Sequence, residues 1–155
     1  DAGFGTLPLG SIADMICCPG LDFCSLANAA SIPVAKDITS RFDADSLRDI
    51  GEVKLKMSGC INACGHHHVG HVGILGIDKK GVEAYQIMLG GSATDDASLG
   101  RWIGPAVAKD EIADAVVALM STYTATRQEG ETFLQTVRRT GIGPFADAVY
   151  GKAAA

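Results

Sequence analysis

The chain has 155 residues, 47% hydrophobic and 20% charged, with a formal net charge of −5. That length suits one domain with a real core rather than two. The negative charge gives no support to binding of nucleic acid or anionic lipid, and no apolar run approaches the roughly 20 residues of a membrane span.

Residues 1–10 are Gly-rich and aperiodic, so they read as a linker. The opening Asp1-Ala2-Gly3-Phe4-Gly5 is not a secretory signal, and without an initiator Met it suggests a piece of a longer chain. Ile12 to Ile16 is a short apolar run consistent with a strand, followed by a turn at Pro19-Gly20. From Cys24, Ser25 to Ala30 favours helix and Ser31 to Arg41 can continue it, with Pro33 bending the axis. Leu47 to Gly51 reads as a helical turn closed by a Gly cap. Glu52 to Ser58 alternates polar and apolar residues, the pattern of a half-buried strand. Val69–Ile77 and Val82–Leu89, joined by Asp78-Lys79-Lys80-Gly81, form a predicted hairpin. Residues 92–104 are irregular. Three helices close the chain: Lys109 to Arg127, with Ile112, Val116, Leu119, Met120 and Tyr123 at helical spacing, then Glu129 to Arg139, then Pro144 to Tyr150. The last residues, 151–155, read as a frayed tail. No repeat or internal linker divides residues 1–155, so they are read as a single domain.

All five cysteines lie in two loops, and four of them form a Cys-x5-Cys and Cys-x3-Cys arrangement: Cys18, Cys24, Cys60 and Cys64. An odd number of clustered cysteines fits a disulfide framework poorly and points to the reducing cytoplasm. Four thiolates from two loops can hold one metal centre. A four-iron four-sulfur cluster suits Gly20, Gly59 and Gly65, which let backbone N–H groups approach the sulfurs. A zinc-stabilised structural domain is the rival reading, although zinc favours Cys-x2-Cys knuckles. Cys17 has no partner in the pattern and reads as a small apolar residue at a strand end.

The segments Cys18-Pro19-Gly20-Leu21-Asp22-Phe23-Cys24-Ser25-Leu26-Ala27 and Met57-Ser58-Gly59-Cys60-Ile61-Asn62-Ala63-Cys64-Gly65 resemble the cluster motifs of the sirohaem-dependent sulfite and nitrite reductases. The similarity runs on through Val72 to Gly76, Leu89-Gly90-Gly91, Gly130 to Phe133 and Arg138 to Gly141, nearly the whole chain. The resemblance implies the C-terminal cluster domain of such an enzyme, an α+β fold with a mixed β-sheet flanked by helices. It implies that Cys18, Cys24, Cys60 and Cys64 ligate a 4Fe-4S cluster and that the Cys64 thiolate bridges to the sirohaem iron. Asn62, Gly90 and Gly91 match positions against the sirohaem. Lys56 matches a basic position that can pair with a sirohaem carboxylate, against the plainer reading of a solvated strand face.

Two departures from the family pattern stand out. Ile61 replaces a common Pro. His66-His67-His68, with His71 beyond, stand where an Arg is common, and one of them, His66, is the candidate for the tetrapyrrole's carboxylates.

The implied reaction is six-electron reduction of sulfite to sulfide or of nitrite to ammonia, with a lean to sulfite. The implied partners are the N-terminal part of the same reductase, which carries the anion-binding Arg and Lys residues, and an electron donor, either ferredoxin or an NAD(P)H-dependent flavoprotein. On this reading the fragment alone is inactive. A stand-alone iron–sulfur electron-transfer module is the other alternative.

Overall fold

The computed structural model describes residues 9–151, so most of the expected linker at 1–10 and of the expected tail at 151–155 lies outside the described residues. The strands are β1 (Ile16–Cys17), β2 (Leu55–Ser58), β3 (Val72–Lys79), β4 (Val82–Leu89), β5 (Arg101–Trp102) and β6 (Val107–Ala108). They form one mixed sheet in the order β1-β2-β3-β4, with β5 and β6 both pairing with β4. β1, β2 and β3 run parallel, and the remaining pairings are antiparallel. Helices α1 (Ile32–Ser40), α2 (Ala44–Ile50), α3 (Ile112–Thr126), α4 (Phe133–Thr140) and α5 (Gly143–Tyr150) complete the domain, as the α+β expectation requires. None is long and apolar enough to cross a membrane.

Period-2 alternation gives the sheet two faces. Leu55, Met57, Val72, Ile74, Tyr85, Ile87 and Leu89 join the core with Ile112, Val116, Leu119 and Tyr123 of α3 and with Phe133 and Phe145. Phe133 lies edge-on to Tyr123 at 5.3 Å between ring centroids and 5.9 Å from Phe145. The opposite face, with Lys56, Ser58, Gly73 and Met88, is covered by the chain returning from β2 to β3. β2 is therefore buried at all four residues rather than half-buried, and Lys56, only 9% exposed, is not on a solvated face.

The hairpin forms as expected, turning at Lys80 and Gly81, both at positive φ, as a two-residue hairpin loop requires. β3 starts at Val72 instead of Val69, because His67–Val69 is a 3-10 turn. Ile12–Ile16 is not a strand. Ser11 caps a 3-10 turn over Ile12–Asp14 by accepting the Ala13 N–H, and the paired strand is confined to Ile16–Cys17.

The expected helix after Cys24 is absent through Ser31. Its backbone donors are taken elsewhere: Asn28 and Ala29 donate to the Gly59 carbonyl, and Ala30 donates to the Glu83 carboxylate. Helix α1 starts where Pro33 fits its first turn, so the proline begins a helix instead of bending one. Gly51 caps α2 as expected. Thr132 and Gln135 form a capping box at the start of α4. Thr132→Ala is expected to cost about 1 kcal/mol in a urea unfolding experiment.

Candidate functional site

β1 and β2 are adjacent and parallel, so their carboxyl ends lie side by side, the position where open sheets with parallel strands present ligand sites. Each is followed at once by a cysteine loop. Cys17 pairs with Met57 in register, and the next residue, Cys18, donates its N–H to the Met57 carbonyl at 3.1 Å. The second loop is also the crossover joining parallel β2 to β3, which forces residues 59–71 back over one face of the sheet.

The two loops lock together at Gly59. Its N–H donates to Cys18 Sγ at 3.0 Å, and its carbonyl accepts Asn28 and Ala29 N–H at 2.9 and 3.1 Å. A Cβ at Gly59 would stand 2.6 Å from the Ala29 carbonyl oxygen, and one at Gly20 would stand 2.3 Å from the Ser31 nitrogen. In the first loop, Leu21 N–H returns to the Ala29 carbonyl and Ala27 N–H to the Cys24 carbonyl. In the second, Ala63 N–H bonds the Cys60 carbonyl, His66 N–H bonds the Ala63 carbonyl, and Ala63 and His66 are left-handed. Gly65 N–H donates to Ser58 Oγ at 3.1 Å.

All five cysteines are free thiols. Cys60 is buried, Cys18 and Cys24 are half-buried, and Cys64 is exposed. Among the described residues no three His, Cys, Asp or Glu side chains converge on one metal ion. A cubane is wider than a single ion, and the donor set fits it: free thiols on two interlocked loops, with a backbone N–H already directed at one sulfur. Cys17 is different. It packs against the core, its thiol donates to the Cys18 carbonyl at 3.2 Å, and burial, reinforced by Cys18, pushes its pKa up to about 11.

The sequence profile described as the nitrite and sulphite reductase 4Fe-4S domain matches residues 11–154. The chain belongs to that family. An assimilatory ferredoxin-dependent nitrite reductase of Haloferax mediterranei is 32% identical over 142 residues, 85% of this chain and 24% of that protein. A sulfite reductase [NADPH] hemoprotein beta-component of Bacillus subtilis is 33% identical over 129 residues, 81% of this chain and 22% of that protein. The chain thus spans about a quarter of the length of the curated relatives it matches. The structure of the Mycobacterium tuberculosis NirA protein superposes with a TM-score of 0.72 at 28% identity, covering 84% of this chain and 26% of that one. Dissimilatory sulfite reductase I has the same TM-score at 14% identity and so shares the fold.

Within this 4Fe-4S domain the other candidate residues cluster unevenly. Gly90 and Gly91, at the end of β4, meet the returning crossover: Gly90 N–H bonds the His71 carbonyl, and a Cβ at Gly91 would stand 2.6 Å from the carbonyl oxygens of Gly70 and His68. Lys56 lies beneath the same segment, with its β-carbon against Gly70 and no ion pair among the described residues. His66 and Asn62 are exposed on the second loop.

Sequence reading missed three features. Glu83 Oε2 accepts the Ala30 N–H at 2.7 Å while the Tyr85 hydroxyl donates to the Ala30 carbonyl at 2.8 Å, so β4 grips the first cysteine loop from both sides. The i, i+2 spacing of Glu83 and Tyr85 was the available signal. Ser31, buried beside Cys18, is the second. His67 is the third: it is wholly buried, and neither ring nitrogen has a hydrogen-bond partner among the described residues.

Burial, with His68 beside it, pushes the His67 pKa down to about 4. His71, buried and stacked on Phe133, accepts the Lys54 N–H at Nδ1. Burial and then the Lys54 charge push it down to about 4 as well. Unfolded, both titrate near their ordinary value of about 6.5. Between those values the unfolded chain binds more protons, so this contribution is complete above about pH 6.5 and is lost as pH falls toward 4. The urea midpoint is expected to drop between about pH 7 and pH 5. That window lies above the carboxylates, of which Glu131 is held down to about 2 by its hydrogen bond from Arg139. A midpoint that stays flat over that range would contradict the assignment.

Proposed function

We propose that this chain is the cluster-bearing part of a sirohaem-dependent sulfite or nitrite reductase, with Cys18, Cys24, Cys60 and Cys64 as the ligands of its 4Fe-4S cluster. The observation that carries the reading is the interlock at Gly59, which sets the two cysteine loops against each other and directs an N–H at Cys18 Sγ. A cluster held by these thiolates would supply single electrons for reduction of a substrate anion. The exposure of Cys64, alone among the four, supports the reading that its thiolate faces outward to the sirohaem. Lys56, His66, Asn62 and the Gly90-Gly91 turn are the candidate contacts to the sirohaem, Lys56 as a carboxylate partner with no ion pair among the described residues.

The apolar side chains around the cysteines support a covered site. Phe23, Leu26 and Ile61 are 77%, 70% and 80% exposed, and Ile16 and Leu21, close to Cys17 and Cys24 along the chain, are exposed as well. Such a collar fits burial against the N-terminal part of the same reductase. That part supplies the anion pocket, since this chain's own charge is negative. The named relatives include a ferredoxin-dependent and an NADPH-dependent enzyme, so either donor class is compatible, and the choice between sulfite and nitrite rests with the rest of the enzyme. Five free thiols suit a cytoplasmic setting.

The test is anaerobic reconstitution with iron and sulfide. A 4Fe-4S stoichiometry with the matching paramagnetic signal on reduction is expected, without sulfite or nitrite reduction by the chain alone. Zinc bound in preference, with no sulfide retained, would return the structural-zinc reading.

A further inference from the structure

Ser31 occupies the N-cap of α1, where a serine hydroxyl ordinarily accepts an N–H from the first helical turn. Here it makes no such bond: its backbone is at φ −118° and ψ −50°, and the helix takes only its carbonyl, through Ala35 N–H at 2.8 Å. Pro33 in the first turn offers no N–H to cap. The fully buried side chain turns the other way and places Oγ 3.5 Å from Cys18 Sγ, with the Cys17 thiol also within its reach. Gly20 closes over it, since a Cβ there would stand 2.7 Å from Ser31 Oγ. The same sulfur receives the Gly59 N–H at 3.0 Å. Cys18 Sγ is therefore held between a backbone donor from the second loop and a hydroxyl at the end of the first. A buried hydroxyl in this position has no water to turn to, and hydrogen bonds to ligand sulfurs are a lever on cluster potential.

We propose that Ser31 is a tuning residue: its hydroxyl donates to the Cys18 thiolate and raises the midpoint potential of the cluster. The inference rests on Cys18 being a cluster ligand. A donor at sulfur withdraws electron density and stabilises the more negative, reduced state more than the oxidised one, so losing it lowers the potential.

The experiment uses the reconstituted chain and reads midpoint potential, iron and sulfide content, and the deuterium sensitivity of the iron–cysteine stretching bands. Ser31→Ala is expected to keep full iron and sulfide, lower the potential and lose part of the deuterium shift. Ser31→Thr restores both, and Thr136→Val, which removes a buried hydroxyl in α4, changes neither. A fully loaded Ser31→Ala protein with the native potential overturns the proposal. If Ser31→Ala fails to hold cluster, retention by Ser31→Thr with an unchanged apo melting temperature supports it, whereas loss in both variants with lowered melting temperatures marks a purely structural role and overturns it. A native chain that takes up no cluster sinks the ligand reading itself, which is a distinct outcome.

Discussion

Cys64→Ala is expected to yield a chain that folds as well as the native one and holds no stable 4Fe-4S cluster. The side chain is exposed, outside the core and without a hydrogen bond among the described residues, so its removal leaves the packing untouched and takes away one of the four proposed ligands. Cys17→Ala is the converse. Its sulfur packs against the core and its thiol bonds the Cys18 carbonyl, so truncation is expected to cost about 1 kcal/mol of stability with cluster content unchanged. Iron and sulfide analysis together with urea unfolding of both variants reads the two effects separately. Full cluster in Cys64→Ala, or loss of cluster in Cys17→Ala at native stability, would show that the four ligands are wrongly assigned.

Gly65→Ala is expected to be the most damaging glycine substitution in the second loop. A Cβ there would stand 1.9 Å from the Met57 carbonyl oxygen and 2.7 Å from its carbon, backbone against backbone, with no flexible side chain to yield. That carbonyl accepts the Cys18 N–H, and Gly65 itself donates to Ser58 Oγ, so any shift that relieves the clash disturbs the start of both cysteine loops. The cost belongs at the upper end of the roughly 1–3 kcal/mol typical of overpacking, with reduced cluster retention. Gly143→Ala provides the contrast. Nothing lies within 4 Å of its added Cβ, and it opens α5 without positive φ, so the change is expected to stabilise by roughly 0.4–1 kcal/mol. Unfolding midpoints measured side by side decide it, and equal midpoints for the two variants would contradict the close contact at Gly65.

Elements governed by local physics were legible in the residues. The β3–β4 hairpin followed from two runs joined by Asp78-Lys79-Lys80-Gly81, α3 from its apolar spacing, and the end of α2 from Gly51. Elements governed by distant partners were not. Residues 25–31 carry helical propensity, yet the N–H groups of Asn28, Ala29 and Ala30 go to Gly59 and Glu83, the latter more than 50 positions away, and tertiary hydrogen bonds override a weak local preference. Lys56 alternates as a surface residue would, and only the crossover folding back over β2 buries it.

The cysteine pattern by itself determined that two loops carry a candidate metal centre and, through its flanking residues, which family it resembles, because ligand type and spacing are written along the chain. Where those loops meet was decided only by the tertiary structure. The parallel pairing of β1 with β2 puts Cys18 beside Gly59, 41 positions apart, and turns Ser31 from a helix cap into a sulfur neighbour. No local pattern encodes that placement, since it depends on which strand ends become neighbours in the sheet.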